Sequence, residues 1–245
     1  MSGTMLTNPF RFGPAAPYAA NGVNFDGTND YLERGADLTG AADSKLFSGS
    51  IWFKRGDTGS TNNVLTGALR RHEIFFHSGN SFRIVVKNSG GAGVLEIRSA
   101  TTFTSTSVWY HVMWSVDMTD SGKRHFYVDG ADDSPTWTKY INDTLDFTET
   151  NHAFGARVGG STKINACFAD PWFAFGQYID LSVAANRLKF YNAGSPVDLG
   201  SDGSTPTGTA AIIFFSGVTA GWETNDGSGG GFTENGALTD CGTDP

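Results

Sequence analysis

WYHVMWSVD, residues 109–117, and HFYVDG, which follows at 125–130, decide how this chain is read. Tyr110, Val112, Trp114 and Val116 share one face at a spacing of two, and Trp109, His111, Met113 and Ser115 share the other. A period of two is that of a strand, and large side chains on both faces mean that both faces are covered. HFYVDG ends in Asp-Gly, where glycine supplies the positive φ of a tight turn. The stretch between them, DMTDSGK, is polar and contains glycine, as a surface hairpin loop should. His111 therefore stands on a sheet face among aromatic rings. No second histidine or cysteine lies at ligand spacing, so it reads as a hydrogen-bonded core residue rather than a catalyst or metal ligand.

Outward from this hairpin the same grammar repeats. SIWFKR, 50–55, puts Ile51 and Phe53 on one side and Trp52 and Lys54 on the other. VLTGAL, EIFFH, FRIVVK and VLEIRS follow between residues 64 and 99, each bounded by Gly, Asn or Ser. VNF (23–25) and YLE (31–33) flank the turn DGTND, and residues 136–141, 153–159 and 166–175 add further strands. Closely spaced strands with no helical pattern between them predict an all-β fold, a sandwich or jelly roll. Composition agrees: 245 residues hold 32 glycines and 19 phenylalanines, with 13% aromatic and only 17% charged residues. One stretch departs from the pattern. In residues 179–194 Asp180 or Ser182 can cap a helix, Gly194 stops it and Pro196 follows, which predicts one helix over about 181–192. AAIIFFSG, 210–217, reads as a last buried strand. The organisation expected is an extended arm over 1–20, a sandwich over 21–217, and a Gly-rich tail over 218–245 packed on the domain or on a neighbour, with Trp222 and Phe232 as its large anchors.

Several function classes have no support. A net charge of −8, with Arg70, Arg71 and His72 as the nearest basic cluster, gives nucleic acid no electrostatic footing. No apolar run approaches bilayer length, and the first twenty residues lack the pattern of a secretory signal. Cys167 and Cys241 are too few for a disulfide framework. Free thiols are the default expectation, with a single bridge as the alternative.

VNFDGTNDYLE near the start, SGSIWFKRG, then WYHVMWSVD with RHFYVDG, then ARVGGS occur in the order found in laminin-G-like, concanavalin-A-like jelly rolls, which this chain resembles over residues 20–190. The central hairpin is similar to that family's WxHVAxxxD…xLYVDG. The resemblance implies a two-sheet antiparallel jelly-roll sandwich in which Trp109, His111, Val112, Tyr127, Asp129 and Gly130 are structural. The later stretch from YIDLSVAANRLKFYNAG to GGGFTENGALTD resembles the C-terminal part of such domains in proteins of tailed bacteriophages. That likeness implies a non-enzymatic virion protein, a capsid decoration or tail- or fibre-associated module made in the host cytoplasm. It would contact other virion proteins and copies of itself, without nucleic acid or membrane. The alternative it implies is an adhesion module that binds host glycan.

The resemblance admits glycosidases and lyases as well as binders. A retaining glycosidase needs two carboxylates about 5 Å apart. The six glutamates, Glu33, Glu73, Glu96, Glu149, Glu223 and Glu234, begin no Glu-x-Asp-x-Glu pattern, and Asp146 with Glu149 has the wrong spacing. No nucleophile elbow, HExxH or phosphate loop is present, so no catalytic residue is assigned. Calcium is the candidate cofactor. Asp26 and Asp30 share the first loop, and Asp117 and Asp120 share the loop after the Trp-His strand, though aspartates also populate turns by bonding their own backbone. For sugar binding the candidates are Trp137, Tyr140, Trp172 and Trp222, which lie outside the best-alternating strands. Phe10, Phe12 and Tyr18, among the prolines of the arm, are the candidate contacts to a neighbouring subunit.

Overall fold

Alternation along the strands sorts the side chains into an interior shared by two sheets and an outer layer on one of them. The computed structural model describes residues 18–245. In chain order the strands are β1 (Val23–Asp26), β2 (Tyr31–Arg34), β3 (Leu46–Arg55), β4 (Asn62–Gly67), β5 (His72–Phe76), β6 (Ser81–Lys87), β7 (Gly93–Thr102), β8 (Tyr110–Asp117), β9 (Arg124–Val128), β10 (Ala131–Asp132), β11 (Thr136–Tyr140), β12 (His152–Phe154) and β13 (Asn165–Phe175). One helical turn, α1 (Ala184–Arg187), precedes β14 (Tyr191–Asn192), β15 (Ser195–Pro196), β16 (Ile213–Phe214), β17 (Thr233–Asn235) and β18 (Thr239–Asp240). The first sheet runs β10-β9-β8-β3-β13-β1-β18, with β16 also on β13; the second runs β11-β7-β6-β5-β4-β12-β2-β17. All pairings between these strands are antiparallel.

The central hairpin is β8 and β9, with Val112 opposite Val128 and Trp114 opposite Phe126. Tyr110, Val112, Trp114 and Val116 face the interior with Ile51 and Phe53 of β3. Aromatic rings dominate that core, and Phe47, Phe53, Phe82 and Phe154 each make several edge, tilted or stacked contacts. Such pairs add about 0.5–1.5 kcal/mol each beyond their buried area. The opposite face of the first sheet is covered too. Met113 of β8 and Trp172 of β13 lie under Ile179, Leu181, Phe190, Leu199 and Phe214. The excursion between β13 and β16 therefore supplies the second cover that β8 requires.

Three local expectations are corrected. The helix expected over 181–192 is one turn. Asp180 and Ser182 satisfy each other, the Ser182 N–H and hydroxyl both donating to Asp180 Oδ1, so neither caps the turn that follows. Its residues bury no face, and Val183 and Leu188 are exposed, so packing gives no reason to extend it. The strand expected over 210–217 shortens to β16. The Ser228 and Gly229 N–H groups bond the Ala211 and Ile212 carbonyls, and Asn225 Oδ1 accepts the Phe214 N–H, so loop groups take the place of a ladder. Free thiols are replaced by a Cys167–Cys241 disulfide. Cys167 points outward from β13, and the antiparallel registers β13–β1 and β1–β18 carry residue 241 back beside it.

The C-terminal segment enters both sheets. β17 lies along β2 and β18 along β1. Trp222 and Phe232 are buried in the interior. Asp30 Oδ1 accepts the Ala237 N–H at 3.0 Å, joining the link between β17 and β18 to the link between β1 and β2. Gly236, at φ 85°, passes so close that a Cβ there would stand 2.2 Å from Asp30 Oδ1.

Candidate functional site

The residues singled out for sugar binding do not form one surface. Trp172 is 0% exposed and Trp222 1% exposed, so neither can meet a ligand. Trp172 lies beneath Phe190 and donates its Nε1–H to the Gly203 carbonyl at 2.7 Å; Trp222 stacks on Phe215. Both stand where strand alternation alone would not bury them, and the excursion and the tail cover them. Trp137 and Tyr140 are half-buried on the edge strand β11, edge-to-face at 5.7 Å, with the Arg124 guanidinium 5.3 and 5.4 Å from their rings. Tyr140 Oη donates to the Asp117 carbonyl at 2.7 Å. This pair closes one end of the interior.

The aspartates close turns. Asp26 Oδ1 accepts the N–H groups of Thr28 and Asn29 at 2.7 and 3.0 Å, which hold its carboxyl below the ordinary range. Asp30 accepts from Asp26 N–H and Ala237 N–H. Asp117 accepts from Thr119 and from Lys123 Nζ, and Asp120 from the Gly122 N–H at 2.8 Å. The two pairs also lie at opposite ends of the first sheet. Asp117 is level with Leu46, while Phe25, beside Asp26, is level with Ala166 and hence Arg55. Ten-residue β3 separates those ends by about 30 Å. Among the described residues no group of three or more His, Cys, Asp or Glu side chains is placed to hold a metal ion. Asp146 and Glu149 are buried, and the Glu149 carboxylate accepts the Leu69 and Arg71 N–H groups.

Phe10 and Phe12 lie outside the described residues. Tyr18 packs on its own domain, with its Oη donating to Asp170 Oδ2 at 2.8 Å. That bond follows from the position of Asp170 in β13, where it is 2% exposed and would otherwise keep neither oxygen satisfied; its Oδ1 has no partner among the described residues. Burial, with Asp198 and Asp226 nearby, pushes the Asp170 carboxyl up to about 7.

The outer face of the first sheet does assemble an aromatic surface. Trp52 and His111 project outward from β3 and β8, with ring centroids 4.8 Å apart. His111 is buried, its Nε2 2.8 Å from Ser50 Oγ, and burial lowers its pKa to about 3, which keeps it neutral. Tyr191 stacks on both, 5.5 Å from Trp52 at 18° and 5.5 Å from His111 at 26°. Tyr18 and Trp109 are partly buried around the same cluster, and Lys54 Nζ stands 5.6 Å from the Trp109 ring. Tyr191 is carried on the β14–β15 hairpin, which turns through Ala193 and Gly194 at φ 50° and 90°. Its approach is permitted by Gly130, the last residue of the Tyr-Val-Asp-Gly turn. Gly130 has φ 76°, and a Cβ there would stand 2.8 Å from the Tyr191 ring.

Tyr191 borders a depression of about 340 Å³ lined also by Asp129, Gly130, Arg187 and Leu188. Beyond the hairpin lies a second of about 600 Å³, lined by Tyr18, Asn192, Ser195, Pro196, Val197 and Asp198. Asp129 Oδ1 accepts the His111 N–H at 2.7 Å, and burial raises its carboxyl pKa. Arg187 lies 4.7 Å from the Tyr127 ring. Rings, hydroxyls, amides and single carboxylates suit stacking on a pyranose face and hydrogen bonding to its hydroxyls. Asp129 lines one depression and Asp198 the other, so neither holds the paired carboxylates of a retaining glycosidase. Alternation puts His111 on one face with Trp109 and Trp52 on one face with Lys54, but no strand pattern marks Tyr191.

A family model described as concanavalin A-like lectin/glucanases superfamily matches residues 26–173. Among solved structures, a putative carbohydrate binding protein from Bacteroides ovatus is similar at a TM-score of 0.61 and 15% identity, over 93% of this chain and 62% of that one. A heptameric SAP-like pentraxin from Limulus polyphemus is similar at a TM-score of 0.51 and 12% identity, over 75% of this chain and 90% of that one. At these identities the likeness is one of fold. No curated protein sequence matches this chain.

Proposed function

This chain belongs to the concanavalin A-like lectin/glucanases superfamily, and on that premise we propose that it is a non-enzymatic binding module that holds a carbohydrate against Tyr191. The observation that carries the reading is the support beneath that ring. Tyr191 rests on buried Trp52 and His111, so it is fixed before any ligand arrives, with a depression beside it. A pre-ordered platform loses little conformational entropy on binding. Asp129 and Arg187 on one side, and Asn192, Ser195 and Asp198 on the other, supply donors and acceptors for sugar hydroxyls. The fold shared with a putative carbohydrate binding protein is in keeping with this reading.

We carry the virion role as the finer proposal: a module on the surface of a tailed-phage particle, in contact with other virion proteins and copies of itself. What favours it is where the phage-like stretch falls. YIDLSVAANRLKFYNAG contributes Arg187, Leu188, Tyr191 and Ala193 to the candidate site, so a virion-borne module and a glycan-binding one can be the same protein.

The test is a glycan array with the purified chain, followed by titration calorimetry on the retained sugars. Tyr191→Ala is expected to abolish retention while the thermal midpoint stays within a few degrees, and Trp137→Ala to leave retention unchanged. Repeating the titration in calcium and in EDTA tests whether the ion expected at the aspartate loops takes part. Retention untouched by Tyr191→Ala would move the site elsewhere.

A further inference from the structure

The outer face of the second sheet carries a charge pattern that the fold does not explain. Arg83 of β6 stands directly opposite Arg98 of β7. Side chains so placed have Cβ atoms about 4.5–5.5 Å apart, and like charges there are destabilising. Among the described residues the ion pairs are made by Arg55, Arg70, Arg71, Arg157, Lys123 and three histidines, and neither Arg83 nor Arg98 takes part. Arg83 is half-buried, and its Nε is buried with no hydrogen-bond partner; Arg98 is exposed. His77, just beyond β5, joins them. Its pKa is lowered by burial and then by the fields of Arg83 and Arg98.

The nearby carboxylates do not answer these charges. Glu73 is clasped by Arg70 at 2.8 and 2.9 Å, with Arg157 3.4 Å away. Asp133 accepts the Ala100 and Thr101 N–H groups and the Thr101 hydroxyl. Glu96 stands opposite Val85 and Lys139, and makes no ion pair among the described residues. Beside the arginines, partly exposed Phe75 lies across from Arg83, and Val85 and Lys87 continue the same face of β6.

We propose that this face binds an acidic polysaccharide, whose carboxylate or sulfate groups bridge Arg83 and Arg98 while a sugar ring lies over Phe75. Two planar guanidinium forks across one strand pair suit bidentate capture of an oxyanion. The partly exposed strand face and Lys87 further along it suit an extended polymer. A chain of net charge −8 favours a ligand of sparse charge over nucleic acid, whose dense phosphates would be repelled by the rest of the surface. The face lies on the sheet opposite Tyr191, so the proposal stands or falls apart from the sugar site described above.

The experiment is affinity electrophoresis of the purified chain in gels containing polygalacturonate, κ-carrageenan, unmodified dextran or duplex DNA, at low and high salt. Retardation by at least one acidic polymer, lost at high salt and absent with dextran, is expected; the two acidic arms distinguish carboxylate from sulfate. The double variant Arg83→Gln, Arg98→Gln, and Arg98→Gln alone, should weaken binding about tenfold or more, since charge-assisted bonds are lost. Tyr191→Ala should bind the acidic polymer as wild type does. Because a repulsive pair is removed, the double variant should melt at or above the wild-type temperature. No retardation by either acidic polymer, equal retardation of wild type and double variant, equal affinity for duplex DNA, or a fall of several degrees in the double variant's melting temperature would each overturn the proposal.

Discussion

Replacing Cys167 and Cys241 together by alanine removes the one covalent tie between the C-terminal segment and β13. The sequence separation is 74 residues. Chain-entropy arithmetic for a loop of that length gives about 4.4 kcal/mol at 25 °C, the amount by which the cross-link raises the free energy of the unfolded chain. For a domain of this size about 1 kcal/mol shifts the melting temperature by roughly 2–4 °C, so the expected loss is roughly 9–18 °C. The remaining attachments cannot replace it. β18 is two residues long, and around it stand the Cys241 N–H to Gly22 carbonyl bond at 2.9 Å, the Gly22 N–H to Asp244 Oδ1 bond at 2.8 Å, and Thr243 bonded to Trp109 and Lys54. The assay is thermal and guanidinium unfolding of the wild type with and without a thiol reductant, alongside the double alanine variant. Reduced wild type and variant should unfold at the same lowered midpoint. A difference below about 3 °C, or two thiols titrating in the oxidised native protein, would refute the reasoning.

Two further outcomes follow from side chains already placed. Trp172→Ala should cost about 3–5 kcal/mol, because a fully buried ring is removed from under Phe190, and equilibrium denaturation measures it. Asp170 has a folded-state pKa of about 7, above its ordinary value, so the native state binds the extra proton. The stability it contributes is fully present below the ordinary carboxylate pKa and is lost as pH rises toward 7, on the order of a few kcal/mol. Buried His72 and His111, lowered to about 3, act the other way and lose stability as pH falls below the ordinary histidine range. The difference between wild type and Asp170→Asn isolates the carboxyl. It should decline with rising pH between 4 and 7, and a flat difference would contradict the assignment.

What could be read from the sequence was what strand periodicity controls. Both faces of β8 were assigned from alternation, and Met113 and His111 do find cover on the outer side. The turn glycine of Tyr-Val-Asp-Gly was also legible, because a positive φ leaves a residue signature. What covers the outer face was not. Phe190, Leu199 and Phe214 lie in irregular chain with no period, so Trp172 beneath them looked free. Tyr191 was hidden for the same reason: it sits on a two-residue strand inside a stretch that reads as a helix. The disulfide depended on register across three strands, which local pattern does not contain. The aspartates of the first and second loops could be read as turn formers, and their hydrogen bonds are those of turns.

β17 and β18 border β2 and β1, one at the free edge of each sheet. They are synthesised after every other strand of the domain. While the stretch from 218 to 240 is being made, on the order of one to five seconds, the β1 edge of one sheet and the β2 edge of the other stand bare. Neighbouring nascent chains on one message then present matching unpaired backbones at close quarters, the arrangement from which strand exchange and aggregates begin. Slowing translation of this tail with rare codons is therefore expected to raise the aggregated fraction while leaving the melting temperature of the folded protein unchanged.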